Sequence, residues 1–156
     1  MPHYRADFIE GTLTVSVTVG SHGASNATQL RRHKVLELTF GVEAPADQTV
    51  RLTGQRYSAA GTSTAVVPTP IDALEGALTT PAMLGVAGEN HSVEPTYTAT
   101  LIVFNFVVHM RNPLLYYAPP GAEVVVPGTN ASGIGYFPGA ISSGTPAAVA
   151  SVLLEE

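Results

Sequence analysis

Residues 95–110 read PTYTATLIVFNFVVHM, and the fold class turns on how that run is read. β-branched and aromatic residues fill it, which suits a pleated strand. Between Leu101 and Val108 both faces are apolar, and a strand apolar on both faces is expected to be covered on both. The run is far shorter than the ~20 residues that cross a bilayer, so it reads as a buried strand with no membrane partner. Asn105 sits in its middle. An unpaired amide there would cost about 1–3 kcal/mol, so a hydrogen bond across a sheet or subunit boundary is expected.

Strand signals continue outward from this run. In GTLTVSVTVG, residues 11–20, Leu13, Val15, Val17 and Val19 alternate with Thr and Ser, the period of a half-buried strand. RRHKVLELTFGVE, residues 31–43, repeats the alternation through Leu36, Leu38, Phe40 and Val42. APADQ is a turn signal, and TVRLTGQRY follows, so these two strands are expected to form a hairpin. STAVVP supplies a short edge strand that stops at Pro68, since proline removes a ladder donor. PIDALEGALTTP, residues 70–81, is the one helical signal, interrupted by Gly76. Beyond the central run come NPLLYYAPPG, AEVVVPG, SGIGYFPG and AAVASVLL, each short and bounded by proline or glycine. The pattern is all-β: an antiparallel jelly-roll-like sandwich of about eight or nine strands with at most one short helix. Residues 1–156 read as a single domain, with 1–8 as an extended N-terminal arm.

Composition points to assembly. Of 156 residues 45% are apolar and 12% charged, against roughly 25% charged in a typical soluble domain. Subunit contacts would account for a surface so poor in charge, because the buried centre of an interface is depleted in charged residues. The net charge is −5 and Lys34 is the only lysine, so no nucleic-acid partner is expected. There is no cysteine, hence no disulfide framework and no thiolate chemistry. MPHYRADFIEG lacks the basic start and apolar core of a secretory signal.

No motif marks a reaction. GTNASGIG, residues 128–135, spaces Gly128 and Gly133 like a phosphate loop, but Ile134 and Gly135 stand where lysine and a hydroxyl are needed. It reads as a turn in which Asn130 and the glycines take positive φ. RRHK, residues 31–34, reads as a solvated strand end or a docking patch for an acidic surface, with Arg31 and Arg32 suited to carboxylates. The five histidines have no close ligand spacing, and Glu89, His91 and Glu94 do not make a defined zinc site. No G-x-S-x-G occurs, and the twelve carboxylates show no acid and base pair. We therefore expect no catalytic, cofactor-binding or metal-ligating residue. Tyrosines near loops can anchor an interface or stack on a sugar. The candidate interface residues are Arg31, Arg32, Asn105, Tyr116, Tyr117, Tyr136 and Phe137.

EPTYTA (94–99) followed by NPLLYYAPPGAEVVVPGTNASGIGYF (112–137) resembles a segment of small all-β structural proteins of tailed bacteriophages, of the capsid decoration or cement type. Tyr117, Ala118, Gly121, Glu123, Pro127, Asn130, Gly133 and Gly135 carry the match; the N-terminal half has no counterpart. The resemblance implies a non-enzymatic virion protein on the capsid surface, a homotrimer whose partner is the major capsid protein. The rival expectation is a receptor- or carbohydrate-binding module of a phage tail or fibre, drawn from the tyrosines and the Asn/Ser/Thr-rich loops.

Overall fold

The computed structural model describes residues 3–23, 32–44, 46–71, 87–126, 129 and 131–155. Twelve strands appear among them: β1 (His3–Glu10), β2 (Gly20–Gly23), β3 (Lys34–Glu43), β4 (Thr49–Ala59), β5 (Thr62–Val66), β6 (Thr69–Pro70), β7 (Ala87–Val93), β8 (Thr96–His109), β9 (Leu114–Tyr117), β10 (Val124–Val125), β11 (Gly133–Ile141) and β12 (Ala147–Glu155). They form two antiparallel sheets. The first is ordered β10-β3-β12-β1-β6, with β9 also on the free side of β3; the second is ordered β5-β7-β2-β11-β4-β8. The chain is an all-β sandwich with no helix among the described residues. Apart from Pro70 and Ile71, the helical signal at 70–81 lies outside them.

Leaving aside β5, β6, β7 and β10, the pairing is nested. The first strand pairs with the last (β1 with β12), the second with the seventh (β2 with β11), the third with the sixth (β3 with β9) and the fourth with the fifth (β4 with β8). The hairpin expected between the strands at 31–43 and 49–57 therefore does not form: β3 and β4 belong to opposite sheets.

The core is built from rows of alternating size. Across the first sheet Phe8, Ala150 and Phe40 lie side by side, then Ala6, Val152 and Leu38, then Tyr4, Leu154 and Val35; every one of these side chains is fully buried. The facing row of the second sheet is Phe104, Gly54, Tyr136 and Gly20. A Cβ on Gly20 would enter the Phe8 ring, and one on Gly54 would press on Phe104. Small residues thus receive the rings of the opposite or adjacent strand, the interdigitation a dense core requires. Each buried Phe or Leu contributes roughly 1.5–3 kcal/mol.

Three sequence expectations are corrected. Residues 11–19 are not a strand. Their donors go sideways, Leu13 N to Pro146 O at 2.7 Å, Ser16 N to Pro138 O at 2.9 Å and Val19 N to Tyr136 O at 2.8 Å, and Ser16 takes φ +66°. The alternation is real at its ends, where Leu13 and Val19 are buried, but Val15 is exposed: the segment carries the chain from one sheet to the other. In β3 the pairing with β12 skips Leu36. That bulge reverses the side-chain phase, so Val35, not Leu36, enters the core. Residues 3–8, read as an arm, are most of β1, paired to β12 along its whole length.

The GIG of GTNASGIG is also strand, not turn. Gly133 and Gly135 pair with both β2 and β4; Gly128 and Asn130 lie outside the described residues. The turn is just upstream, with Ala131 at φ +60° and Ser132 N on Thr129 O at 3.0 Å. The two glycines face outward, and the phenols of Tyr57 and Tyr97 lie where their Cβ atoms would be. Gly133→Ala would meet both the Tyr57 hydroxyl and the His22 carbonyl, and we expect it to lower stability by about 1–3 kcal/mol in urea denaturation. Gly41→Ala, which enters open space, should stay within about 0.5 kcal/mol of the parent.

Candidate functional site

The candidate interface residues part company in the fold. Asn105 is exposed on β8, the free edge of the second sheet, and Tyr117 is 61% exposed on the outer face of the first. Tyr116 is half-buried against Phe104 and Phe106, with ring centroids 5.1 and 5.8 Å away. Phe137 is half-buried on Tyr97 at 4.8 Å. Arg32 is exposed, and Arg31 lies outside the described residues. Tyr136 is fully buried at the centre of the sandwich and presents nothing to a partner, because its ring fills the space between Gly54 and Gly20. The basic RRHK cluster is divided too: His33 is buried and Lys34 pairs with Glu155 at 2.8 Å.

Tyr136 belongs to a buried polar chain that spacing did not reveal. Its hydroxyl lies 2.9 Å from His22 Nε2, and His22 Nδ1 lies 2.8 Å from His33 Nε2. All three residues are fully buried. His22 stands on β2 and Tyr136 on β11 in the second sheet, whereas His33 precedes β3 and accepts Val126 N through its carbonyl at 2.9 Å. The chain therefore ties the two sheets together through the core. Burial disfavours charge. It holds His22 well below the ordinary histidine value, with the neighbouring His33 adding to the effect, and pushes His33 down to about 4. Burial also raises the Tyr136 hydroxyl, so all three groups are neutral at pH 7.

A second polar group lies on the outer face of the second sheet. Glu94 accepts Thr18 N at 3.0 Å and the Thr18 hydroxyl, which also contacts the Tyr97 hydroxyl at 2.6 Å. Ser21 Oγ lies 3.0 Å from His91 Nε2. A serine beside an imidazole can be a nucleophile and its base, yet Ser21 is 2% exposed and the Glu94 carboxylate is engaged by Thr18. What the contact does structurally is plain: β2 and β7 share one paired position, Ser21 with Gly88, and the side-chain bond adds a second tie. Among the described residues no group of three or more His, Asp or Glu side chains could hold a metal ion.

The outer face of the first sheet carries an apolar row. The registers set Ile9, Val149 and Gly41 side by side, with Ile9 64% and Val149 53% exposed. Gly41 has no side chain to fill the space, and a trough of about 390 Å³ opens there, lined also by Met110, Pro113 and the carboxylates Glu10 and Glu43. Two rows along, Arg5 and Glu37 pair at 3.7 Å, and Glu43 follows Gly41 on the other side, so the apolar row lies between charged positions.

The resemblance segment now has a physical reading. β9 and β10 follow one another along the same edge of β3, and residues 118–123 loop out between them. Ala118 N bonds Leu36 O at 2.8 Å, Gly121 takes φ +84°, and its N–H donates to Glu123 at 3.0 Å. The motif describes a strand broken by a turn.

The buried histidines make stability depend on pH. An unfolded histidine takes up its proton near pH 6.5, whereas the folded rings resist it. Stability is thus full above about pH 6.5 and falls as pH drops toward 4, by on the order of 3 kcal/mol from His33 alone. Urea midpoints at pH 7.5, 6 and 4.5 should show this decline, and His33→Gln should flatten it; a parent chain with a level midpoint over that range would contradict the assignment. No family model, no curated protein and no solved structure matches the chain.

Proposed function

We propose that the chain is a non-enzymatic structural subunit of a bacteriophage virion, a capsid decoration or cement protein that attaches to the outside of the shell and stabilises it. Its partners are the major capsid protein and further copies of itself, as a homotrimer. The nested strand pairing in a two-sheet sandwich supports a jelly-roll-like subunit, and the resemblance in residues 94–99 and 112–137 suggests the virion context.

The observation that carries the reading is the exposed apolar row of Ile9 and Val149 over the Gly41 trough, a surface suited to an apolar ridge on a partner, flanked by Glu10 and Glu43. Attachment at several equivalent positions would turn modest contacts into tight binding through avidity. The rival reading, a carbohydrate-binding module, calls for exposed aromatic faces, and of the six tyrosines Tyr117 alone is exposed.

Shells purified without the protein should bind it saturably and gain resistance to heat. Ile9→Glu and Val149→Glu should each weaken that binding at least tenfold, about 1.4 kcal/mol, and leave the urea midpoint within about 0.5 kcal/mol of the parent. Failure of the parent chain to bind shells, or a clean saturable glycan-array signal in its place, would overturn the reading.

A further inference from the structure

Four sheet edges end the sandwich, and three of them are blunted. β6 has two residues, one of them Pro70. The β9 and β10 edge is interrupted by Pro119, Pro120 and Gly121. β5 is five residues long, mostly small or polar, and its pairing with β7 shifts register between Thr62 and Thr64. Short length, proline and bulges are the devices that keep an edge from pairing with another chain.

β8 is different. It runs for fourteen residues at the end of its sheet with β4 as its one partner, and no charged residue occurs from Thr96 to Val108. Its irregularities lie toward the N-terminal end, where Thr100 takes φ +69° and the pairing with β4 shifts; from Phe104 to His109 the ladder is regular. Ile102 is 51% and Val107 73% exposed, and Asn105 is exposed between them.

We propose that this edge pairs with the same edge of a second copy, antiparallel, about a two-fold axis through Asn105. The inference rests on the reading of the chain as an assembly subunit and names one of its self-contacts. Two identical strands joined into one continuous sheet keep their outer faces on the same side only if the axis passes through a residue, because opposed residues must share a face. Around Asn105 the sequence is a near palindrome, Ile102-Val103-Phe104-Asn105-Phe106-Val107-Val108. Phe104 then stands opposite Phe106 of the second copy, and Val107 opposite the apolar pair Ile102 and Val103, where the ladder is bulged. Asn105 meets its own counterpart, and two carboxamides can each donate to the other's oxygen. An axis through Phe106 would instead set Asn105 against Val107 and leave the amide beside an apolar side chain. With no charge on the strand, self-pairing meets no like-charge repulsion. An isologous contact of this kind joins two copies whether or not three-fold contacts are also made.

The chain has no cysteine, so engineered thiols report without background. In the full chain Asn105→Cys places the two thiol-bearing residues opposite one another, with Cβ atoms roughly 4.5–5.5 Å apart. Val107→Cys leaves its thiols about 14 Å apart along the strands. We expect mild oxidation or a short bismaleimide to convert most of the Asn105→Cys protein to a covalent dimer and to leave Val107→Cys as single chains. Asn105→Lys should shift sedimentation equilibrium toward smaller species at an unchanged urea midpoint. Equal cross-linking at both positions, no cross-linking at 105, or a parent chain that sediments as a monomer at every concentration would overturn the proposal. Shell binding by Asn105→Lys separates the two readings: attachment that survives loss of self-pairing leaves the proposed function intact, whereas self-pairing without attachment leaves the edge contact intact.

Discussion

The phenol of Tyr136 is the constraint around which the sandwich is arranged. Its ring is the large residue that the second sheet offers between two glycines, Gly54 and Gly20, and nothing smaller would fill that row. The ring carries a hydroxyl into the buried core, where an unmet polar group costs on the order of 1–3 kcal/mol. His22 answers the hydroxyl, but an imidazole brings a second nitrogen that must also be met, and His33 meets it from the side of the first sheet. The Tyr136 hydroxyl and both His22 nitrogens are thereby met, while His33 Nδ1 has no partner among the described residues; the two bonds couple the three rings. The chain of two hydrogen bonds therefore fixes how β2, β11 and the start of β3 sit against one another. It also explains why a charge-poor protein places two ionisable rings where neither can easily ionise.

Much of the all-β character was legible, because β-branched alternation and turn residues are local signals. The strands at 49–59, 96–109 and 147–155 follow them closely. What failed was anything decided by partners distant in sequence. The turn signal APADQ looks the same whether the strands on either side pair with each other or join opposite sheets, and β3 and β4 are in opposite sheets. Residues 11–19 alternate as a strand does, yet their donors find Tyr136, Pro138 and Pro146 and no continuous ladder forms. The bulge at Leu36 reverses the phase of β3 without any proline or glycine to announce it.

The candidate site divides in the same way. The sequence reads Asn105 as lying in a strand covered on both faces. β8 is instead the edge of its sheet, with Leu101, Ile102, Asn105 and Val107 exposed, because which strand ends a sheet is decided by partners distant in sequence; Tyr117 is exposed as well. Tyr136 and Phe137 share a local context with them, so sequence alone could not separate a core phenol from an interface one. His22 and His33 are eleven residues apart, a spacing with no regular meaning, and become neighbours through the crossing between sheets. Gly133 and Gly135 carry the strongest local turn signal in the chain and are instead strand, because Tyr57 and Tyr97 need the space their side chains would take.

The scarcity of charge acquires a location once the fold is known. Of the six basic residues described besides histidine, Arg5, Lys34 and Arg111 pair with Glu37, Glu155 and Asp47, while Arg51 and Arg56 donate to the carbonyls of Gly139 and Val125. Exposed pairs of this kind contribute little to stability, about 0–1 kcal/mol each, so their meaning lies more in where they stand. Arg5 and Lys34 hold the charged end of the first sheet's outer face, and Arg111 lies just beyond β8. Between these positions lie two regions without cations, the Ile9 and Val149 row, flanked by Glu10 and Glu43, and the uncharged β8 edge. The described cations, Arg32 apart, are thus confined by internal contacts, while the longest sheet edge is left bare, and the Ile9 and Val149 row and that edge stand on opposite sheets.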